Sequence, residues 1–127
     1  MNILLIEPDQ VLGRTYQRAL KAAGHKVLSC TSAQAAIALI DQLKPDLVIL
    51  ELQLVAHGGI EFLYEFRSYK DWLDIPVVAL SSIPPGEFNG SWRLLQDGLG
   101  VKAYHYKPLT KLKDLIRTVN SFATIKT

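Results

Sequence analysis

Short apolar runs alternate with helical patterns along the chain. Five runs have the composition of strands, and they lie at residues 3–6, 25–29, 46–51, 75–80 and 103–106. The run at 46–51 is the most apolar, and it ends on a carboxylate. The run at 25–29 is more polar and predicts an edge strand.

Helical patterns fill most of the gaps between these runs. Leu12, Tyr16, Leu20 and Ala23 recur at spacings of four and three, and they predict a first helix capped by Asp9. Similar stripes predict helices at residues 32–43, 59–66 and 112–119. Prolines and glycines interrupt residues 83–100, where we expect no more than one short helix at 91–96. We predict one domain over residues 1–123, with residues 124–127 as a frayed tail or the cut edge of a longer protein.

This alternation predicts an α/β fold with a mainly parallel sheet and right-handed crossovers. In such sheets the functional groups lie beyond the carboxyl ends of the strands. That rule selects Glu7, Glu51, Ser81, Ser82 and Lys107, which lie at the ends of four different strands. Although they are distant in sequence, we expect them to meet at one edge of the sheet.

Composition narrows the class of protein. The chain has 127 residues, with 14 Lys and Arg against 12 Asp and Glu and a formal net charge of +2. So small a charge, without a basic stripe, argues against nucleic-acid binding. No run reaches the roughly 18 apolar residues of a membrane span, no signal-peptide pattern is present, and Cys30 is the single cysteine. We therefore expect a small, soluble, cytoplasmic domain that binds neither nucleic acid nor membrane.

Several motifs at these strand ends form one recognisable series. They are Ile6-Glu7-Pro8-Asp9 after the first strand, residues 45–51 through the third, Gly59 eight residues after Glu51, Ser81 ending the fourth, and Tyr104 three residues before Lys107-Pro108. Together they resemble the response-regulator receiver domain, the CheY-like, flavodoxin-like phosphoacceptor module of two-component signalling. The resemblance implies a single five-stranded parallel sheet in the order 2-1-3-4-5, with helices on both faces. The breakers at 83–100 predict that the fourth helix is irregular.

The resemblance also implies roles for the residues at the sheet edge. An Asp at the position of Glu51 accepts a phosphoryl group in this family, and two acidic residues after the first strand help to bind Mg²⁺. Ser81 is then the counterpart of the switch hydroxyl, and Lys107 of the lysine that pairs with the phosphate. Tyr104 is the counterpart of an aromatic residue that swings inward when the hydroxyl moves, which couples phosphorylation to a partner surface.

Two departures from the family pattern fall on the phosphoryl-transfer chemistry. Glu51 replaces the acceptor Asp, and its extra methylene displaces the carboxylate, where errors near 1 Å cost about 100-fold. Pro8 replaces the second acidic residue, which leaves Glu7 and Asp9 as an acidic pocket, although Asp9 is the better candidate for a helix cap. We therefore expect no metal site beyond the residual Glu7 and Glu51, with Mg²⁺ binding lost or weak. We also expect a Glu51–Lys107 ion pair that fixes the domain in one state.

The remaining candidate residues each have two interpretations. Phe88 and Trp92, with Tyr104, are either aromatic plugs under an irregular loop or a remodelled partner surface, and we favour the surface. His57 and His105 lack a metal-ligand spacing, so they predict an ordinary loop histidine and an ordinary strand histidine.

The sequence thus predicts an atypical receiver that is not an enzyme and that binds a protein partner without being phosphorylated. The partner would be a histidine kinase, an output domain or another signalling protein, and homodimerisation stays open. One alternative is a working phosphoacceptor that uses Glu51 or a nearby serine. A second, with less support, is a metal-dependent phosphatase on a related sheet, which would need an Asp nucleophile where this chain has Glu7-Pro8-Asp9.

Overall fold

The computed structural model describes residues 1–54, 58–88 and 90–126, whose backbone forms a five-stranded sheet between two layers of helices. The strands are β1 (Asn2–Ile6), β2 (Lys26–Cys30), β3 (Leu47–Leu50), β4 (Val77–Ser81) and β5 (Val101–Tyr106). All neighbours pair in parallel, in the order β2-β1-β3-β4-β5, which confirms the predicted topology. Strand β3 is central and fully buried, as its uninterrupted apolar sequence requires.

Within the residues that the structure describes, four α-helices cover the two faces of the sheet. They are α1 (Gln10–Ala22), α2 (Ala33–Gln42), α3 (Gly59–Ser68) and α4 (Leu112–Lys126). Helices α1 and α4 pack on one face through Leu20, Leu115 and Val119, whereas α2 and α3 pack on the other through Ile40 and Phe62. No helix within the described ranges is long and apolar enough to span a membrane.

The connection between β4 and β5, residues 82–100, is irregular as predicted but differs in detail. It contains a 3₁₀ turn at Pro85–Phe88, and the short helix expected at 91–96 is present as a π-helix at Leu94–Gly98. Its end is held by the guanidinium group of Arg67, which donates hydrogen bonds to the carbonyls of Leu99 and of two other residues. Gly100 has φ 70° and lies against this guanidinium group, so a side chain there would meet both strain and a clash.

Other element boundaries also differ from the prediction. Strand β5 begins at Val101, two residues early, and β4 begins at Val77, two residues late. Helix α4 continues to Lys126, so the backbone at 124–126 is helical where a frayed tail was predicted. The reason is that Phe122 extends the apolar stripe of α4 and packs against the core.

Candidate functional site

The ends of β1, β3, β4 and β5 bring the predicted polar residues to one edge of the sheet. Glu7 and Glu51 directly follow β1 and β3, Ser81 ends β4, and Lys107 directly follows β5. The relative exposures of Glu7, Glu51 and Ser81 are 2%, 3% and 0%, so these polar groups are enclosed by the fold. Such burial is tolerated only when every polar atom has a partner.

The Glu51 carboxylate accepts five hydrogen bonds. Oε1 accepts from Lys107 Nζ at 2.7 Å and from the backbone N–H and the hydroxyl of Ser82, both at 3.0 Å. Oε2 accepts from Ser81 Oγ at 2.5 Å and from the backbone N–H of Gln53 at 3.1 Å. Both oxygens are therefore engaged by side-chain and backbone donors at once.

Lys107 bridges two carboxylates. Its Nζ lies 2.5 Å from Glu7 Oε1 and 2.7 Å from Glu51 Oε1, which places the predicted Glu51–Lys107 ion pair in the structure. The sequence did not predict that Glu7 shares the same ammonium group. Glu7 Oε2 in turn accepts the backbone N–H of Asp9 at 3.1 Å.

These contacts set the charge state of the site. Burial alone would raise the pKa of Glu51, but hydrogen bonds from Lys107, from Ser81 and from two backbone N–H groups hold that pKa below its usual value. Burial alone would lower the pKa of Lys107, but its bonds to Glu51 and Glu7 raise that pKa above its usual value. The pair is therefore a carboxylate and an ammonium group at neutral pH.

Asp9 does not belong to the acidic pocket in which the sequence analysis placed it. It is exposed, and its Oδ1 caps α1 by accepting the backbone N–H groups of Val11 at 2.9 Å and Leu12 at 3.1 Å. Among the described residues, the buried site therefore keeps two carboxylates, those of Glu7 and Glu51.

The groups at this edge do not fit Mg²⁺. The ion needs near-octahedral oxygen ligation, whereas Pro8 offers no side-chain oxygen and the ammonium of Lys107 already lies against both carboxylates. Within the described ranges, no group of three or more His, Cys, Asp or Glu residues is arranged to hold a metal ion.

A chain of hydrogen bonds leads from Glu51 to Tyr104. Ser81 Oγ donates to Glu51 and accepts the backbone N–H of Ile83 at 3.1 Å. The carbonyl of Ile83 accepts the hydroxyl of Tyr104 at 2.5 Å. Burial raises the pKa of Tyr104, so the phenol stays a donor at neutral pH. Glu51 and Tyr104 thus bind opposite ends of the same short segment.

Phe88 and Trp92 pack on Tyr104. Their ring centroids lie 6.0 Å and 5.8 Å from that of Tyr104, and all three side chains are half-buried against the core. Each ring is half-buried, so the packing that the plug interpretation predicts is present, while part of each ring stays exposed as the favoured partner surface requires.

Ser82 was expected at this edge without an assigned role, and Gln53 was not predicted there. The backbone N–H of Ser82 donates to Glu51 Oε1, and its hydroxyl proton is shared between Glu51 Oε1 and Gln53 Oε1, which lie 3.0 Å and 2.9 Å from Oγ. The repeated serine after β4 was the available signal for Ser82, whereas nothing in the sequence pointed to Gln53.

Of the two histidines that the sequence singled out, the structure describes His105, which is bonded away from this site. His105 Nε2 bonds Thr118 Oγ1 at 2.8 Å, between β5 and α4, and burial lowers its pKa. His57 lies outside the residues that the structure describes.

Comparison with known proteins identifies the family. A sequence model described as the response regulator receiver domain matches residues 3–88, more than half of the chain. The chain therefore belongs to the response regulator receiver domain family of two-component signalling.

Individual relatives agree with this assignment. The KDP operon transcriptional regulatory protein KdpE of Escherichia coli K12 is 35% identical over 81 residues, which are 64% of this chain and 35% of KdpE. The sensory transduction protein BceR of Halalkalibacterium halodurans is 28% identical over 128 residues, which are 99% of this chain and 54% of BceR. The chain thus spans about a third of the length of KdpE and about half that of BceR.

A solved structure with a similar backbone is that of the chemotaxis response regulator CheY4 of Vibrio cholerae. Its TM-score is 0.82 at 17% identity, and the match covers 95% of this chain and 97% of CheY4. At that identity the match concerns the fold, which is the CheY-like fold that the sequence predicted.

Proposed function

We propose that this receiver domain acts as a protein-interaction module without being phosphorylated, and that it is not an enzyme. The observation that carries the proposal is the saturated carboxylate of Glu51. Its two oxygens already hold the hydroxyl of Ser81 and the ammonium of Lys107. The family resemblance assigns those same groups to the binding of a phosphoryl group.

The geometry disfavours Glu51 as a phosphoryl acceptor. A carboxylate oxygen must present a lone pair in line with the incoming phosphorus, but one oxygen of Glu51 accepts three hydrogen bonds and the other accepts two. Attack would require the loss of several of these bonds from a side chain that is 3% exposed. The displaced position of the carboxylate adds the penalty expected from its extra methylene.

The chain of hydrogen bonds through Ile83 connects the buried site with side chains nearer the protein surface. Glu51 holds Ser81, Ser81 holds the backbone N–H of Ile83, and Tyr104 holds the carbonyl of Ile83. Glu51 then sets the position of Tyr104, and with it the Phe88 and Trp92 rings. In this proposal the carboxylate permanently replaces the phosphoryl group, although it lacks the extra charge of roughly −0.5 to −1 and the third oxygen.

We expect the partner to be a protein of the same signalling class, such as a histidine kinase, an output domain or another regulator. The half-buried aromatic cluster of Phe88, Trp92 and Tyr104 is the surface that the site controls, and Tyr and Trp are favoured at interfaces. A cytoplasmic location, expected from the sequence, is part of the same proposal.

Intact-mass spectrometry after incubation with acetyl phosphate and Mg²⁺ tests the proposal. We expect no mass increase for the wild type. A Glu51→Asp variant, with its shorter side chain, tests whether the residue at position 51 is the main reason that phosphorylation fails. A gain of one phosphoryl group by this variant would show that it is. A phosphoryl group on the wild type would overturn the proposal, and the modified residue would then define a working acceptor.

A further inference from the structure

We propose that the ammonium group of Lys107 is the resident cation of this site and excludes a divalent ion from it. The inference deepens the proposed function, on which it rests, because it names what makes the site independent of a metal. The cation in question is the Lys107 ammonium group of the wild-type protein, and the identity of the protein partner does not enter.

The position of the ammonium group is the first step of the argument. Nζ contacts Glu7 and Glu51 at 2.5 Å and 2.7 Å, and the Lys107 side chain is only 13% exposed. A cation that contacts both carboxylates in a largely enclosed site blocks a second cation sterically and by charge repulsion.

The second step is that the other oxygens of the two carboxylates already accept hydrogen bonds. Glu7 Oε2 accepts the backbone N–H of Asp9, and Glu51 Oε2 accepts Ser81 Oγ and the backbone N–H of Gln53. A divalent ion would therefore have to displace the ammonium group and also compete with fixed donors. Pro8 supplies no further carboxylate in compensation.

The third step is that Lys107, unlike a free metal ion, is covalently part of the chain. A lysine directly after β5 is present at one equivalent whatever the concentration of free metal. The position of the Glu51 carboxylate, and the Ser81 contact that depends on it, should therefore be the same in Mg²⁺ and in a chelator.

Thermal unfolding with and without divalent ions tests the inference. The proteins are wild type, Lys107→Met and Lys102→Met, in about 10 mM MgCl₂ or MnCl₂ against NaCl of equal ionic strength. Lys102 is the matched control because it is an exposed lysine of β5, the strand that Lys107 directly follows. Wild type and Lys102→Met should not respond, whereas Lys107→Met should melt lower in NaCl and regain about 3 °C or more with Mn²⁺.

A Lys107→Gln variant covers the case in which Lys107→Met does not fold, since the amide still donates hydrogen bonds to a carboxylate without its charge. A second readout is the paramagnetic broadening by Mn²⁺ of the backbone amide NMR signals near residues 7 and 51. Stabilisation of the wild type by Mg²⁺ or Mn²⁺ would overturn the inference, and so would the absence of any ion effect in both Lys107 variants. Phosphorylation of the wild type is a different result, seen in the mass spectrum, and it would overturn the proposed function.

Discussion

Replacing Glu51 by Gln is the most informative single change, because it keeps the size of the side chain and removes its charge. The amide can place its oxygen toward Lys107 and Ser82, where donors converge, and its NH₂ group toward Ser81 and Gln53. The hydroxyl of Ser81 can turn and accept a hydrogen bond. The backbone N–H of Gln53, which now donates to Glu51 at 3.1 Å, then has no acceptor.

The magnitude follows from these losses. Removing one partner of a buried ion pair costs about 3–5 kcal/mol, and an N–H left without an acceptor costs about 1–3 kcal/mol. Glu7 still holds Lys107 at 2.5 Å, and the burial penalty of the Glu51 charge disappears, so the ion-pair cost is largely offset. We therefore expect the free energy of unfolding to fall by about 2–4 kcal/mol, or Tm by about 8–16 °C for a domain of this size.

Urea unfolding at pH 7, followed by circular dichroism, measures this difference. Glu65→Gln is the matched control, since Glu65 is an exposed residue of α3, and it should change the free energy by less than about 0.5 kcal/mol. If Glu51→Gln were as stable as this control, with the same dependence on urea, the bonds described for Glu51 would contribute little and the reasoning would fail.

The pH dependence of the same pair of proteins gives a second check. The contacts of Glu51 hold its folded pKa below the unfolded value of about 4.3. Its contribution is therefore fully present above the unfolded pKa and is lost as the pH falls through the lower, folded pKa. The stability difference between wild type and Glu51→Gln should be constant from pH 6 to 8 and should shrink below about pH 4.

Three further substitutions or reactions test the surroundings of the site. Gly59→Ala should destabilise the protein by about 1–3 kcal/mol, because a Cβ there would lie 2.5 Å from the Cα of Leu52. Gly58→Ala should be tolerated, because the nearest neighbour of a Cβ at that position lies 3.9 Å away, and urea unfolding compares the two variants. Tyr104→Phe loses one hydrogen bond to a backbone carbonyl and should cost about 0.5–1.5 kcal/mol in the same assay. Burial raises the pKa of the Cys30 thiol to about 11, so a thiol reagent at pH 8 should react with it only as fast as the protein unfolds.

The sheet and its functional edge could be predicted from the sequence because both follow from local patterns and one topological rule. The apolar runs define the strands, and the carboxyl ends of parallel strands share an edge, which brings Glu7, Glu51, Ser81 and Lys107 together. Those residues lie where the prediction placed them, and the Glu51–Lys107 pair is present at 2.7 Å. Their roles in signalling stay predictions.

The parts that could not be predicted depend on contacts between distant segments. The π-helix at Leu94–Gly98 is followed by a turn that Arg67 holds from α3, and no local pattern contains that partner. The aromatic rings of Phe88 and Trp92 were expected on the surface because the breakers around them indicate loops. Their partial burial depends on Tyr104, which lies on a different strand.

Electrostatics connects the two departures from the family pattern, which look independent in the sequence. The buried edge holds two carboxylates and one ammonium group, and each carboxylate is completed by neutral donors. A third carboxylate at position 8, where the Pro8 side chain is half-buried, would add another negative charge beside this edge, and enclosing an unpaired charge is unfavourable. Because Pro8 carries no charge, two carboxylates share one ammonium group and the edge keeps a net charge of −1. Position 8 therefore limits the negative charge at the edge, and the longer carboxylate at position 51, whose charge equals that of an Asp, reaches the ammonium group that offsets part of it.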